Sequence, residues 1–294
     1  MPNRKRLSDA EREQRRLEDR ERVPQAAQQL LSSEGWRRWV RVRARNGLSR
    51  YSLSNQLLIA LACPQATFVA GFRAWLELGY CVRKGERAIR IMAPMPVKDR
   101  EPDGTELQVV EGEPRARVLF RAVSVFDVSQ VTPLPSGEPT PLVAPSEPLT
   151  GESHVGLLVP LEAFAASIGI EVCFETLGGH AGGWCDSKAP RVVIDAGLTG
   201  NARVRVLVHE LAHALGVGYE QFGRERAEVI VDTVALIVCG SVGLDVGGES
   251  IPYVAGWGED GPLEAITEFA ATIDTLACRL EDVLAAPVAE AQAA

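Results

Sequence analysis

Six prolines, Pro133, Pro135, Pro139, Pro141, Pro145 and Pro148, fall within sixteen residues. Proline lacks an amide hydrogen and fixes its own φ, so neither a helix nor a central strand can run through such a stretch. A chain of 294 residues interrupted in this way folds as two parts joined by a linker. The expected organisation is a charged segment over 1–24, a first domain over 25–131, a linker over 132–150, a second domain over 151–285 and a loose Ala-rich tail over 286–294. The charge divides along the same line. Residues 1–145 carry 24 Lys and Arg against 17 Asp and Glu, whereas residues 146–294 carry 7 against 22. A basic half favours a polyanion such as nucleic acid, and the acidic half repels one, so the two parts serve different tasks.

Other classes are excluded early. Apolar residues make up 46% of the chain, enough for real cores. No apolar run approaches the length of about 18 residues that a membrane span requires. The opening MPNRKRLSDAEREQRR is charged with no apolar stretch behind it, so no secretory signal is expected there. The six cysteines (Cys63, Cys81, Cys173, Cys185, Cys239, Cys278) are scattered without a CxxC pair. That pattern fits buried thiols in a reducing, cytoplasmic setting better than a disulfide framework or a cysteine zinc site.

Periodicity assigns the elements. Residues 8–22 are nearly all charged and form either a solvated helix or a disordered segment. A helix is predicted from Pro24 to about Arg45, and another over NQLLIALA, capped by Ser52 or Ser54 and followed by Pro64. GFRAWLELG predicts a short helix ending at Gly79. CVRKGERAIRIMAP predicts two strands around a turn at Gly85, residues 97–116 an inserted polar loop, and 117–131 a strand. In the second half a helix near 160–168 precedes strands near 170–175 and 191–195, which flank the loop LGGHAGGWCDSKAP. Helices follow over the histidine-bearing segment, over 224–239 and from Pro262 to about Leu284, the last with a clean 3.6-residue period. The fold class is α+β: a small α+β domain, then a mainly helical domain with a small sheet.

The chemistry concentrates in VLVHELAHALG, residues 206–216. Val204, Leu207, Val208, Leu211 and Leu215 give the spacing of an amphipathic helix, which Thr199 or Asn201 can cap and Gly216 can end. His209 and His213 then stand one turn apart on one face and can bite a single metal ion, with Glu210 beside them to serve as general base: the HExxH arrangement of zinc peptidases. On the next helix Glu228 heads an apolar run, where an ionised carboxylate needs a partner such as a metal. Asp232, four residues on, is placed to accept the outer N–H of one histidine. Glu225 competes with Glu228 for the third ligand position. A divalent transition ion held by these residues, Zn2+ being the first expectation, would activate water against a peptide carbonyl. RVVID, just before the helix, is expected to be the edge strand that holds an extended substrate. His180 in the loop is either an oxyanion partner or a solvated side chain.

In the first half aromatic residues alternate with cations between residues 50 and 90, the composition of a single-strand binding groove, although such tryptophans usually serve a core. The motifs here are YS..N from Tyr51, the turn at Pro64–Thr67, GF..W from Gly71, the VRKGE turn and I.I.AP, with VFDVSQ later. Together they resemble the N-terminal domain of ArdC-type antirestriction proteins. VHELAHALG, ERAEVIVD and YVAGW at 253–257 are similar to that family's zincin-like metallopeptidase domain. The resemblance covers about residues 25 to 285. It implies a single-stranded-DNA-binding domain fused to a metallopeptidase domain, carried on plasmids and other mobile elements and protecting incoming DNA from restriction. The residues assigned to the strand are Tyr51, Asn55, Phe72, Arg73, Trp75, Arg83 and Lys84. Three rival readings stand beside this one: a DNA-binding protein whose peptidase fold binds metal without catalysis, a regulatory protease that cleaves a repressor in response to DNA, and a first half that binds protein or RNA.

Overall fold

The computed structural model describes residues 8–45, 48–96, 118–135, 139, 147–178, 182–186, 190–245, 251 and 263–285. The charged start is helical. Helix α1 (Asp9–Gln28) opens on a capping box in which Ser8 Oγ accepts from the Glu11 amide and the Glu11 carboxylate accepts from the Ser8 amide. It is more than a solvated rod. Asp19 pairs with Arg90 at 2.7 Å, and Ala26 is buried. The single helix expected from Pro24 to Arg45 is two. After a 3-10 turn at Gln29–Leu31, Ser32 caps a new helix, α2 (Ser33–Arg43), through the Gly35 amide. Gly35 is required there, because a Cβ would stand 1.8 Å from the Gln29 carbonyl oxygen. Helix α3 (Leu53–Ala62) starts after Ser52, whose side chain makes no capping hydrogen bond.

Strand β1 (Val69–Gly71) leads into α4 (Phe72–Glu77), followed by β2 (Tyr80–Val82), β3 (Ile89–Pro96), β4 (Val118–Asp127) and β5 (Val131–Pro133). Gly85 adopts φ 93°, so the turn is where the sequence puts it. The strands on its two sides do not pair with each other. β3 runs antiparallel to the ten-residue β4, in a sheet of order β1-β4-β3, and the three-residue β2 pairs with β5. The VFDVSQ motif has a structural job. Asp127, buried, accepts the Thr67, Phe68 and Ser129 amides, and Gln130 reaches back to the Asp127 amide. The expected loop at 97–116 lies outside the described residues.

Strand β6 (Glu147–Pro148) follows the proline stretch, then α5 (Leu158–Ser167), β7 (Glu171–Glu175), β8 (Gly183–Asp186) and β9 (Arg191–Asp195). The order is β7-β9-β8, with β7 parallel and β8 antiparallel to β9. This corrects the expectation for RVVID: it is the central strand, and β8, hidden in what looked like a glycine-rich loop, is the edge beside it. Val192, Val193 and Ile194 are each 0% exposed, the continuous apolar run of a strand covered on both faces. Pro133 and Pro148 sit in short peripheral strands, where a missing amide is tolerated.

Three long helices complete the second half: α6 (Gly200–Ala214), α8 (Arg224–Ser241) and α9 (Leu263–Ala285), with a four-residue helix, α7 (Tyr219–Phe222), between the first two. Strand β10 (Leu244–Asp245) pairs with β6. The buried stripe of α9, Ile266, Ala270, Ile273, Ala277 and Leu280, follows the predicted period. Helix α9 also closes over the first half. Arg43 of α2, 0% exposed, is held by Asp274 through Nε at 2.6 Å and by Glu281 through both terminal guanidinium nitrogens at 2.8 Å. Burial opposes that charge, but the two carboxylates raise its pKa above the free value. Trp39 Nε1 donates to Gln56, whose amide donates on to Asp274. The protein is therefore a mixed α+β chain in which the second half is mainly helical and one long apolar core runs through both halves.

Candidate metal centre

The centre is built at the crossing of α6 and α8. Neither Thr199 nor Asn201 caps α6 as expected. The Thr199 hydroxyl donates to the Leu149 carbonyl, and the Asn201 amide binds Pro148 O and the His154 amide. The first amide of the helix is taken instead by Glu152, which accepts from Gly200 N at 2.9 Å. The residues just after the proline stretch thus pin the N-terminus of the histidine helix.

His209 and His213 present their rings side by side, centroids 5.2 Å apart. From α8, Glu228 brings its carboxylate against both: Oε2 lies 3.6 Å from His209 Nε2 and Oε1 lies 3.9 Å from His213 Nε2. One donor atom from each of the three lies within 4.8 Å of the others. The two imidazoles are prepared for ligation. His209 Nδ1 is 2.9 Å from Asp232 Oδ1, and His213 Nδ1 donates to the Val217 carbonyl at 2.8 Å, which leaves both Nε2 lone pairs facing the common point. Two neutral nitrogens and one carboxylate oxygen are the donor set of a tetrahedral divalent site with an open position. The residues fit the group. Glu225, the competing third ligand, is exposed on the first turn of α8 and stands outside this cluster.

Glu210 is buried next to the first histidine, within electrostatic reach of His209, Glu228 and Asp232. It is 6% exposed, and among the described residues none hydrogen-bonds its carboxylate. Burial, reinforced by Glu228 and Asp232 and opposed by His209, pushes its pKa up to about 7. Asp232 moves the other way: burial would raise it, but the His209 hydrogen bond and charge hold it below the usual range. For His209 burial disfavours the cation, and Asp232, Glu210 and Glu228 outweigh it. Strand β8 runs past this corner. Gly182 and Gly183 let it sit on α6, since a Cβ at Gly183 would lie 2.7 Å from Val206, and the Cys185 thiol is pushed up to about 11 by burial and by the nearby Glu210.

Tyr219 carries no signal in the sequence. Its hydroxyl donates to Glu228 Oε1, and its ring meets the His213 ring edge-on at 5.4 Å. Glycines at positive φ, Gly216 at 117° and Gly223 at 72°, bracket its helix and turn the chain back. The glycines were readable as turn signals. A helix of four residues leaves no period to detect.

The residues assigned to a DNA strand separate into two groups. Trp75 is 0% exposed, its indole N–H donates to Phe126 O, and its ring packs against Phe68 and Tyr80. It offers no face to a base, so its assignment is corrected to core. Asn55 uses both ends of its amide on the Met92 backbone, at 2.8 Å each, and closes the outer edge of β3. The Tyr51 hydroxyl donates to Val69 O. Arg83 binds Glu86 and the carbonyls of Ser129 and Val131. Phe72, 51% exposed, and the exposed Arg73 and Lys84 face solvent. His180 and YVAGW lie outside the described residues.

Fold and site define the class: a two-part α+β protein with a two-histidine, one-carboxylate constellation on adjacent helices of its second part. Comparison with known proteins makes this specific. Residues 23–126 match the family of the N-terminal domain of anti-restriction factor ArdC. The crystal structure of antirestriction ArdC from the R388 plasmid in its metal-free form is similar over 89% of this chain and 96% of that one, with a TM-score of 0.53 and 16% identity. The Mn(II)-bound form of that protein matches over the same shares, with a TM-score of 0.50. An uncharacterised protein of Bacillus anthracis, pXO2-81, is 28% identical over 247 residues, 72% of this chain and 41% of that protein. The chain thus spans about two fifths of the length of that relative. Among the described residues no helix is long and apolar enough to cross a membrane.

Proposed function

We propose that this is a single-stranded-DNA-binding antirestriction protein whose second half is a zinc-dependent metallopeptidase. One observation carries the enzymatic half: the convergence of His209, His213 and Glu228 to within 4.8 Å, with the buried Glu210 next in sequence to the first histidine. The R388 protein of the same fold takes Mn(II), which supports a divalent ion at this centre. His209, His213 and Glu228 hold that ion and Asp232 orients His209. The bound ion supplies Lewis acidity, polarising a carbonyl and lowering the pKa of water. Glu210 accepts the proton of the attacking water and returns it to the leaving amine, a task suited to a carboxyl tuned close to neutrality. An extended peptide pairs along the free side of β8, which passes the Glu210 corner. In the first half, assigned to residues 25–131, the strand lies across the exposed Phe72, Arg73 and Lys84. Cysteines that form no disulfide among the described residues suit work in the cytoplasm.

Two variants test the enzyme. His213→Ala should lose metal from the purified protein. Glu210→Gln should keep the metal and lose about 100-fold or more of peptide hydrolysis, the share that general-base help contributes. Full hydrolysis by Glu210→Gln removes its assigned role. Antirestriction that survives in Glu210→Gln with metal bound favours the rival reading, a DNA-binding protein with a non-catalytic peptidase fold.

A further inference from the structure

Each of the three metal-facing side chains has one outer partner, and only one of those partners, Asp232, is announced by the sequence. His209 has Asp232 and His213 has the Val217 carbonyl. Glu228 has Tyr219, which lies on neither of the helices that carry the ligands. We propose that Tyr219 is the positioning residue that makes Glu228 a metal ligand and fixes which of its oxygens faces the ion. This rests on the metal-site reading above.

The physical need is plain. Glu228 is the most exposed member of the set, its side chain 35% accessible against 16% for His209 and 11% for His213. A glutamate with three free torsions at a solvent-facing position visits many rotamers, and each unproductive one lowers affinity. Tyr219 removes that freedom. Its hydroxyl occupies Oε1 and leaves Oε2, the oxygen nearer His209, to face the common point. The phenol is itself restrained: its ring meets the His213 ring on one contact and the Arg224 guanidinium, 5.8 Å from its centroid, on another. A phenol that orients one ligand and packs on a second ties α7 to the assembly of the whole site. Engaging Oε1 also keeps Glu228 from chelating through both oxygens, which preserves the open position that water needs.

The test is metal affinity of the full chain, measured with Zn2+ and Mn2+ by competition with a chromophoric chelator. Tyr219→Phe keeps the ring and removes only the hydroxyl. It should weaken binding about 10- to 100-fold, with the thermal midpoint of the metal-free protein unchanged. In a Glu228→Gln background the same change should have no further effect, because the hydroxyl acts through that carboxylate. Cobalt(II) absorption should report a higher coordination number in Tyr219→Phe than in the parent. Binding by Tyr219→Phe within about twofold of the parent, or an equal loss in the Glu228→Gln background, would overturn the assignment while the metal site itself stands. A parent protein that binds neither ion, or that binds as well after His213→Ala, would overturn the metal-site reading and this inference with it.

Discussion

At the scale of the residue, Glu210 is the feature with the largest energetic consequence. A carboxyl that titrates near pH 7 when folded and at its ordinary value of 4.5 when exposed favours the folded state only while protonated. The sign follows directly. Its stabilisation is complete below about pH 4.5 and is lost as the pH rises through about 7. Burying the charged form above that pH costs about 1–3 kcal/mol. Metal-free Glu210→Gln should therefore resist urea better than the metal-free parent at about pH 8, by roughly that amount, and match it at about pH 4.5. A gap that does not change with pH would mean that the carboxylate is not desolvated. Functional sites commonly trade stability in this way.

The elements show how much could be read in advance. Helix α6 and helix α8 carry 3.6-residue periods long enough to fix their faces, so the meeting of His209, His213 and a carboxylate of α8 could be anticipated, while spacing left Glu225 and Glu228 open as that carboxylate. Contacts made across long separations were not. Nothing near Asn55 in sequence reveals that its amide is spent on Met92, 37 residues on, and nothing near Trp75 shows that a strand end covers it. Strand β8 was missed because the glycines that let it approach α6 are also the residues of loops. The break at Ser32 was missed because Ser is at home both within a helical run and at its cap. Helix α4 turns this into a prediction about DNA. It buries Trp75 and presents Phe72, Arg73 and Leu76 to solvent. Phe72→Ala should weaken binding of a labelled single strand by about 1–3 kcal/mol in fluorescence anisotropy. Lys84→Ala should flatten the salt dependence by about 0.7 in log–log slope. Trp75→Ala should act through stability instead, costing about 3–5 kcal/mol on unfolding. Loss of binding by Trp75→Ala in a fully folded protein would contradict the buried assignment.

For the whole molecule the deciding feature is the contact between the halves. Helix α8, which carries Glu228, ends against α2 so closely that a Cβ at Gly240 would lie 2.7 Å from the Ala44 carbonyl oxygen. Helix α9 lies beside both and neutralises Arg43. Arg43→Ala would strand Asp274 and Glu281 in low dielectric and should cost about 3–5 kcal/mol in equilibrium denaturation. A cost below about 1 kcal/mol would place the pair in water. The proline stretch separates the halves in sequence, yet the same buried ions and the shared core join them in space. During synthesis this arrangement imposes an order of events. Arg43 leaves the ribosome 231 residues ahead of Asp274, an interval of roughly 10–50 s at ordinary elongation rates. Throughout that interval the nascent amino-terminal helices carry an uncompensated cation on a face meant for burial, so they complete their packing only when the last helix arrives.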